Sequence, residues 1–209
     1  MTVLNKLASQ LQSREEQPNI ELAHELVNSH NLEGIREVIE NLANKDKKIQ
    51  QDCIKVAYEI GELNPEFICE HAQIFIDLLK SRNNRMVWGA MQALAIIAPL
   101  TPDILMENLK TILSAIKVGS VITVDKGILT LAKLAAVNKE NNEIIFPYLL
   151  EHLKSCRSKE VPQHAESTLI AVTNVNKEPF LIVLRKRESS LTEPQLKRVK
   201  RIYRQLGVN

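Results

Sequence analysis

The chain has 209 residues, 44% of them apolar and 4% aromatic, with six glycines and a formal net charge of +2. That apolar content builds a core and excludes wholesale disorder, while the shortage of aromatics and turn glycines excludes a β-sandwich or barrel. Three widely spaced cysteines, Cys53, Cys69 and Cys156, with no CxxC pair, argue against a disulfide framework and a zinc knuckle.

The polar opening residues lack the apolar run of a signal peptide. The longest apolar stretch, residues 93–100, is far short of the roughly 20 residues that cross a bilayer. The chain therefore reads as soluble and cytoplasmic, without membrane insertion.

Residues 2–14 predict a short helix with Val3, Leu4, Leu7 and Leu11 on one side. The stretch 14–18, ending in Pro18, breaks it. Asn19 is the expected cap of a helix carrying Ile20, Ala23, Leu26 and Val27. Asn31 caps the next, with Leu32, Ile35, Val38, Ile39 and Leu42 inward. These irregular N-terminal helices occupy 2–44.

From Asp46 a repeat emerges. The turn residues Leu63, Leu100, Val137 and Val175 are spaced 37, 37 and 38 apart. Each is followed by Asn or Thr, then Pro or Lys, then an acid: a cap, a first helical position and a charge matched to the helix dipole. Counting back from each turn residue, small residues recur at Cys53, Ala90, Gly127 and Ala165. Apolar residues follow at Ala57, Leu94, Leu131 and Leu169, and again at Ile60, Ile97, Leu134 and Val172. Ile49, Met86, Thr123 and Val161 form an earlier column, and Asp46, Asn83, Ser120 and Ser158 are the expected N-caps. Small residues in such a column let two helix backbones approach.

The second helices repeat the pattern through Phe67, Ile68, Phe75, Leu78 and Leu79, then Ile104 to Ile116, then Ile144 to Leu153, then Phe180, Leu181 and Leu184. Pro147 should start the third late or kink it. Thr192 and Gln195 have capping-box spacing and open a last helix bearing Leu196, Val199, Ile202 and Leu206. The repeats span 46–82, 83–119, 120–157 and 158–190, and the capping helix 192–207.

Two helices every 37 or so residues, neither able to bury its face alone, are the pattern of an α-solenoid. The pattern cap, apolar, small, Leu, apolar resembles the HEAT repeat of the HEAT/armadillo superfamily, best at Asn83, Met86, Ala90, Leu94 and Ile97. HEAT repeats often carry Arg directly after the first apolar position. Here Gln50, Val87, Val124 and Pro162 stand there, so these are divergent repeats. The resemblance implies an all-α, right-handed α-solenoid of about five helix pairs with terminal capping helices, forming a single domain over 1–209.

No nucleotide-binding, zinc-protease or serine-hydrolase motif is present, so no catalytic residue and no cofactor is expected. His152 and Cys156, four apart, could supply half a metal site. No second pair stands out in the sequence, so no metal is expected either.

The second helices carry a polar stripe: Glu66, Glu70, Gln73, Asp77 and Lys80, then Asp103, Glu107, Lys110, Ser114 and Lys117. In HEAT-like stacks the second helices line the concave face, so the resemblance makes this stripe a candidate partner-binding groove. Acids early and lysines late are also what the dipole favours on a solvated helix. Trp88, the one tryptophan, is either a partner anchor or a cover over a neighbouring loop or the irregular N-terminal pair.

Basic residues cluster late: Arg185, Lys186, Arg187, Lys197, Arg198, Lys200, Arg201 and Arg204. They are candidate anion contacts, or the solvated face of a solenoid cap. The expected function is a non-enzymatic scaffold or adaptor binding another protein or peptide. The alternative is nucleic-acid binding through the basic end; a resemblance to HEAT-like DNA glycosylases would want a basic concave groove with aromatics, whereas here the concave candidates are acidic in the N-terminal half. A HEAT-type accessory lyase has no residue in its favour.

Overall fold

In a computed structural model that describes residues 2–208, the chain divides into two compact units, Met1–Gly127 and Ile128–Asn209. Both are built of short helices joined by turns.

The first unit opens with a departure from the sequence expectation. Residues 2–14 form one 3₁₀ turn, Leu4–Lys6, followed by turns in which Gln12 takes a left-handed φ of 56°. Val3 and Leu7 are buried as expected, but Leu11 is exposed because no helix carries it inward.

Helix α1 (Gln17–Asn28) begins before its expected cap, and Asn19 lies buried inside its first turn. Helix α2 (Leu32–Glu40) is capped as expected, Asn31 Oδ1 accepting from the Gly34 N–H at 2.9 Å. Ile35, Val38 and Ile39 point inward, while Leu32, at the first helical position, is exposed.

The regular repeats follow. Helix α3 (Lys47–Leu63) is capped by Asp46, and α6 (Asn84–Ile97) by Asn83, each side chain accepting from the N–H two residues on. In the first two repeats the second helix is split where the sequence predicts one helix. The first splits into α4 (Glu66–Cys69) and α5 (Ala72–Leu78), the next into α7 (Pro102–Glu107) and α8 (Leu109–Val118). The breaks fall at His71 (φ −95°, ψ 14°) and Asn108 (φ −102°, ψ 15°), both in the bridge region between helix and strand. Asn108 holds its break by donating Nδ2 to the Ile104 carbonyl at 2.9 Å.

Helix α3 packs on α1 and α6, and α5 packs on α6. The small column does what its size permits: Cys53, Ala90 and Gly127 are buried. A Cβ at Gly127 would meet Ile116 Cγ1 at 2.3 Å, so α9 (Val121–Ala135) approaches α8 more closely than any larger residue allows. The turn residues that mark the period are exposed at helix ends, Val175 most of all at 88%.

The second unit starts within α9. Helix α10 (Lys139–Ser155) is capped by Asn138 and runs unbroken through Pro147, so the proline neither delays its start nor divides it. Helix α11 (Val161–Thr168) starts later than Ser158 predicts. Glu160 is its N-cap and Pro162 sits in its first turn, where the missing N–H costs nothing. Helix α12 (Lys177–Arg187) leads through a 3₁₀ turn to α13 (Glu193–Gln205). There the Thr192 N–H donates to Gln195 Oε1 at 2.9 Å, the capping-box contact. Helix α13 packs on α11 through buried Val199, Ile202 and Tyr203; Leu196 and Leu206 are only half-buried. Among the described residues, no helix is long and apolar enough to cross a membrane.

Candidate functional site

The polar stripe is a surface. Glu66 on α4, Glu70 just after it, and Gln73 and Asp77 on α5 are all exposed, and so are Asp103, Glu107, Lys110, Ser114 and Lys117 on α7 and α8. Helices α5 and α7 touch, which brings residues 73–77 of the first row near residues 103–107 of the second. The breaks at His71 and Asn108 divide each row, placing Glu66 with Glu70 and Asp103 with Glu107 ahead of the break. Asp77 pairs with Lys80 at 3.2 Å, and Glu70 reaches His71 Nε2 at 3.5 Å. The unit that bears the stripe holds 17 acidic and 13 basic side chains; the second unit holds 8 acidic and 14 basic.

Trp88 is half-buried. Its ring lies 6.0 Å from that of Tyr58 on α3, with the Arg85 guanidinium 5.5 Å from its centre. Arg85 and Lys55 also belong to an ion-pair network. Glu16 receives Arg85 and, at 3.2 Å, Lys55; Lys55 also meets Glu59 at 2.6 Å. Burial alone would raise the Glu16 carboxyl, but the hydrogen bonds from Arg85 and Lys55 outweigh it and hold the pKa below the ordinary value. Trp88 thus lies between Tyr58 and Arg85, whose guanidinium joins Glu16.

The basic cluster separates into two kinds of residue. Arg187 is half-buried and donates Nη1 to the Leu153 and Lys154 carbonyls at 2.8 Å each, and Nη2 to the Cys156 carbonyl at 2.7 Å. Its fork closes the C-terminal end of α10, where orphan carbonyls need donors. Arg198 grips Glu166 with two bonds, Nε to Oε1 at 3.0 Å and Nη2 to Oε2 at 2.5 Å. Arg185, Lys186, Lys197, Lys200, Arg201 and Arg204 are exposed. Arg185, Lys200 and Arg204 line a shallow recess of about 670 Å³ whose other walls include Glu188 and Tyr203, and the Tyr203 hydroxyl donates to Glu188 at 2.6 Å.

One cluster was not visible in the sequence. His164 on α11 stands with its Nδ1 at 2.8 Å from Nε2 of His152 on α10. One ring nitrogen of each, together with Cys156 Sγ, all lie within 4.8 Å of one another. His152 and Cys156 were recognisable as a pair from their spacing. The third member comes from the following helix, twelve residues from His152, and nothing in the local pattern marks it.

No protein-family model matches the sequence, and no curated protein matches it. Solved structures do. A designed armadillo repeat protein in complex with the peptide (KR)4 superposes with a TM-score of 0.69 at 16% identity, covering 97% of this chain and 99% of that one. The fold is that of the armadillo/HEAT solenoids. An engineered protein matches with a TM-score of 0.66 at 18% identity, over 97% of this chain and 95% of its own. The karyopherin Kap121p bound to the SUMO protease Ulp1p matches with a TM-score of 0.66 at 16% identity. There the match covers 96% of this chain and 22% of the karyopherin, so the chain is about a fifth as long as that relative.

Proposed function

We propose that the chain is a non-enzymatic protein-binding module whose exposed second-helix stripe receives a basic, extended peptide segment. The observation that carries this reading is the run of exposed carboxylates Glu66, Glu70, Asp77, Asp103 and Glu107 on adjacent helices of the acidic unit. An extended chain presents side chains at about 3.3 Å intervals, so a row of carboxylates two helices wide can meet several cations at once. Such complementarity raises the on-rate and sets register and partner choice. The designed armadillo protein of similar fold holds a (KR)4 peptide, which supports a basic ligand for this architecture.

Nucleic-acid binding at the basic end is weaker as a reading. Arg187 and Arg198 are already engaged by carbonyls and by Glu166, leaving fewer cations for phosphates.

Fluorescence anisotropy with a labelled Lys-Arg octapeptide, against an Asp-Glu octapeptide and random-sequence DNA and RNA, tests the proposal at low and moderate salt. The basic peptide should bind with a steep salt dependence, and Glu66→Lys with Glu70→Lys and Glu107→Lys should weaken it about tenfold or more. Equal binding of both peptides, an indifferent triple variant, or preferential binding of nucleic acid would overturn it.

A further inference from the structure

We propose that His152, Cys156 and His164 form a metal site for an ion that prefers thiolate and imidazole ligands, of the zinc(II) or copper(I) class. Four observations meet here. The donors are two imidazoles and a thiol, the set that zinc and copper select over oxygen-seeking magnesium or calcium. Their ligand atoms already lie within 4.8 Å of one another. His152 and Cys156 stand one helical turn apart at the end of α10, so one short segment presents both in the same direction. His164 is wholly buried on α11, which fixes the third donor on a rigid element.

The geometry needs little adjustment. The two ring nitrogens are 2.8 Å apart, as a hydrogen-bonded pair. Metal–nitrogen bonds of about 2.05 Å in a tetrahedral site set ligand nitrogens about 3.3 Å apart, so the rings separate by roughly half an ångström on loading. The hydrogen bond between the rings is replaced by two metal–nitrogen bonds, each ring keeping one N–H on its other nitrogen. Cys156 gives its thiol proton to solvent and binds as thiolate. Arg187 donates to the Leu153, Lys154 and Cys156 carbonyls, and its charge partly offsets the burial that disfavours the Cys156 thiolate. Helix α10 also directs the negative end of its dipole toward this corner. Three protein ligands leave the fourth position of a zinc ion to water or to a group brought by a partner, while a cuprous ion is complete with three.

The reading does not depend on the peptide-binding proposal, because the cluster belongs to the other unit. The test uses the full chain, reduced and freed of metal, titrated with cobalt(II) as a spectroscopic stand-in and then with zinc(II). In parallel it is titrated with copper(I) against a colorimetric cuprous chelator. One equivalent should bind, cobalt should show a thiolate charge-transfer band that zinc erases, and excess magnesium should not compete. Cys156→Ser should abolish the band, His152→Gln should weaken binding at least tenfold, and Cys69→Ser should change neither. Circular dichroism verifies that each variant is folded. Tighter zinc or tighter copper identifies the ion. No stoichiometric binding of either, a cobalt complex without the band, or undiminished affinity in folded Cys156→Ser would show the histidines to be only a hydrogen-bonded pair.

Discussion

Asn19 Nδ2 donates to Asp52 Oδ1 at 2.8 Å, tying the first turn of α1 to the middle of α3. The same side chain accepts from the Ala8 N–H at 2.9 Å, and the other carboxylate oxygen of Asp52 accepts from the Ser9 N–H at 2.8 Å. One buried amide and one carboxylate thereby replace the helix that residues 2–14 do not form. Asn19→Ala should cost about 2–3 kcal/mol, since it strands a buried N–H and leaves Asp52 short of a donor. Asn19→Asp should also be costly, by setting two carboxylates face to face. Urea melts of both variants check this, and an Asn19→Ala protein as stable as the parent would refute it.

The two asparagines at 19 and 31 show where sequence reading succeeds and where it stops. Asn31, Asp46, Asn83 and Asn138 all cap the helices expected of them, because a cap needs only its own next few N–H groups. Asn19 has the same local signature, but its partners are 11 and 33 residues away in the chain. The small column was legible for the same reason as the caps: the period repeats it. The breaks at His71 and Asn108, the carbonyl fork of Arg187 and the approach of His164 to His152 are tertiary outcomes with no periodic trace. Of the candidate residues, sequence pattern located the exposed stripe, whereas it could not tell a solvated arginine from one committed to a helix end.

The small column sets a packing limit in the first unit. Ala90 is fully buried on α6. Ala90→Leu should destabilise by about 1–3 kcal/mol through overpacking. Gly127→Ala should destabilise as well, because its new Cβ meets Ile116 Cγ1 at 2.3 Å and the isoleucine must shift. Ile116→Val combined with Gly127→Ala should recover part of the loss. Thermal melts that place Ala90→Leu at or above the parent would contradict the assigned packing.

Asn83→Ala should cost on the order of 1 kcal/mol, since its Oδ1 accepts from the otherwise orphan Arg85 N–H at 3.1 Å. Asn83→Ser should retain most of the stability. A serine variant no better than alanine would mean that the side chain is not acting as a cap.

Stability should fall in acid partly through Glu16. Its folded pKa lies below the ordinary 4.5, so the contribution of its pairs to Arg85 and Lys55 is present above that value and is lost as pH falls through the folded one. Glu16→Gln should lower stability at neutral pH and flatten the decline below about pH 4.5. The effect is modest, because the Glu16 side chain is 44% exposed and solvent screens it. Parallel acid limbs in parent and variant, from urea melts across that range, would show the network to be idle.

The basic end yields the most discriminating comparison. Arg198 and Arg201 lie three apart on α13, yet Arg198 holds Glu166 on α11 with a bidentate grip while Arg201 is exposed. Arg201→Glu should therefore leave stability within about 0.5 kcal/mol. Arg198→Glu sets two carboxylates against each other. It should cost up to about 1 kcal/mol, held to that ceiling because the pair is about two-fifths exposed and screened. The exchange Arg198→Glu with Glu166→Arg should restore most of the loss, and high salt should shrink the difference between single and double variants. A double-mutant cycle by urea denaturation at two salt concentrations measures the coupling. Coupling indistinguishable from zero at low salt would mean that α13 is held only by Val199, Ile202 and Tyr203, and that Arg198 is as free to meet an anion as its neighbour.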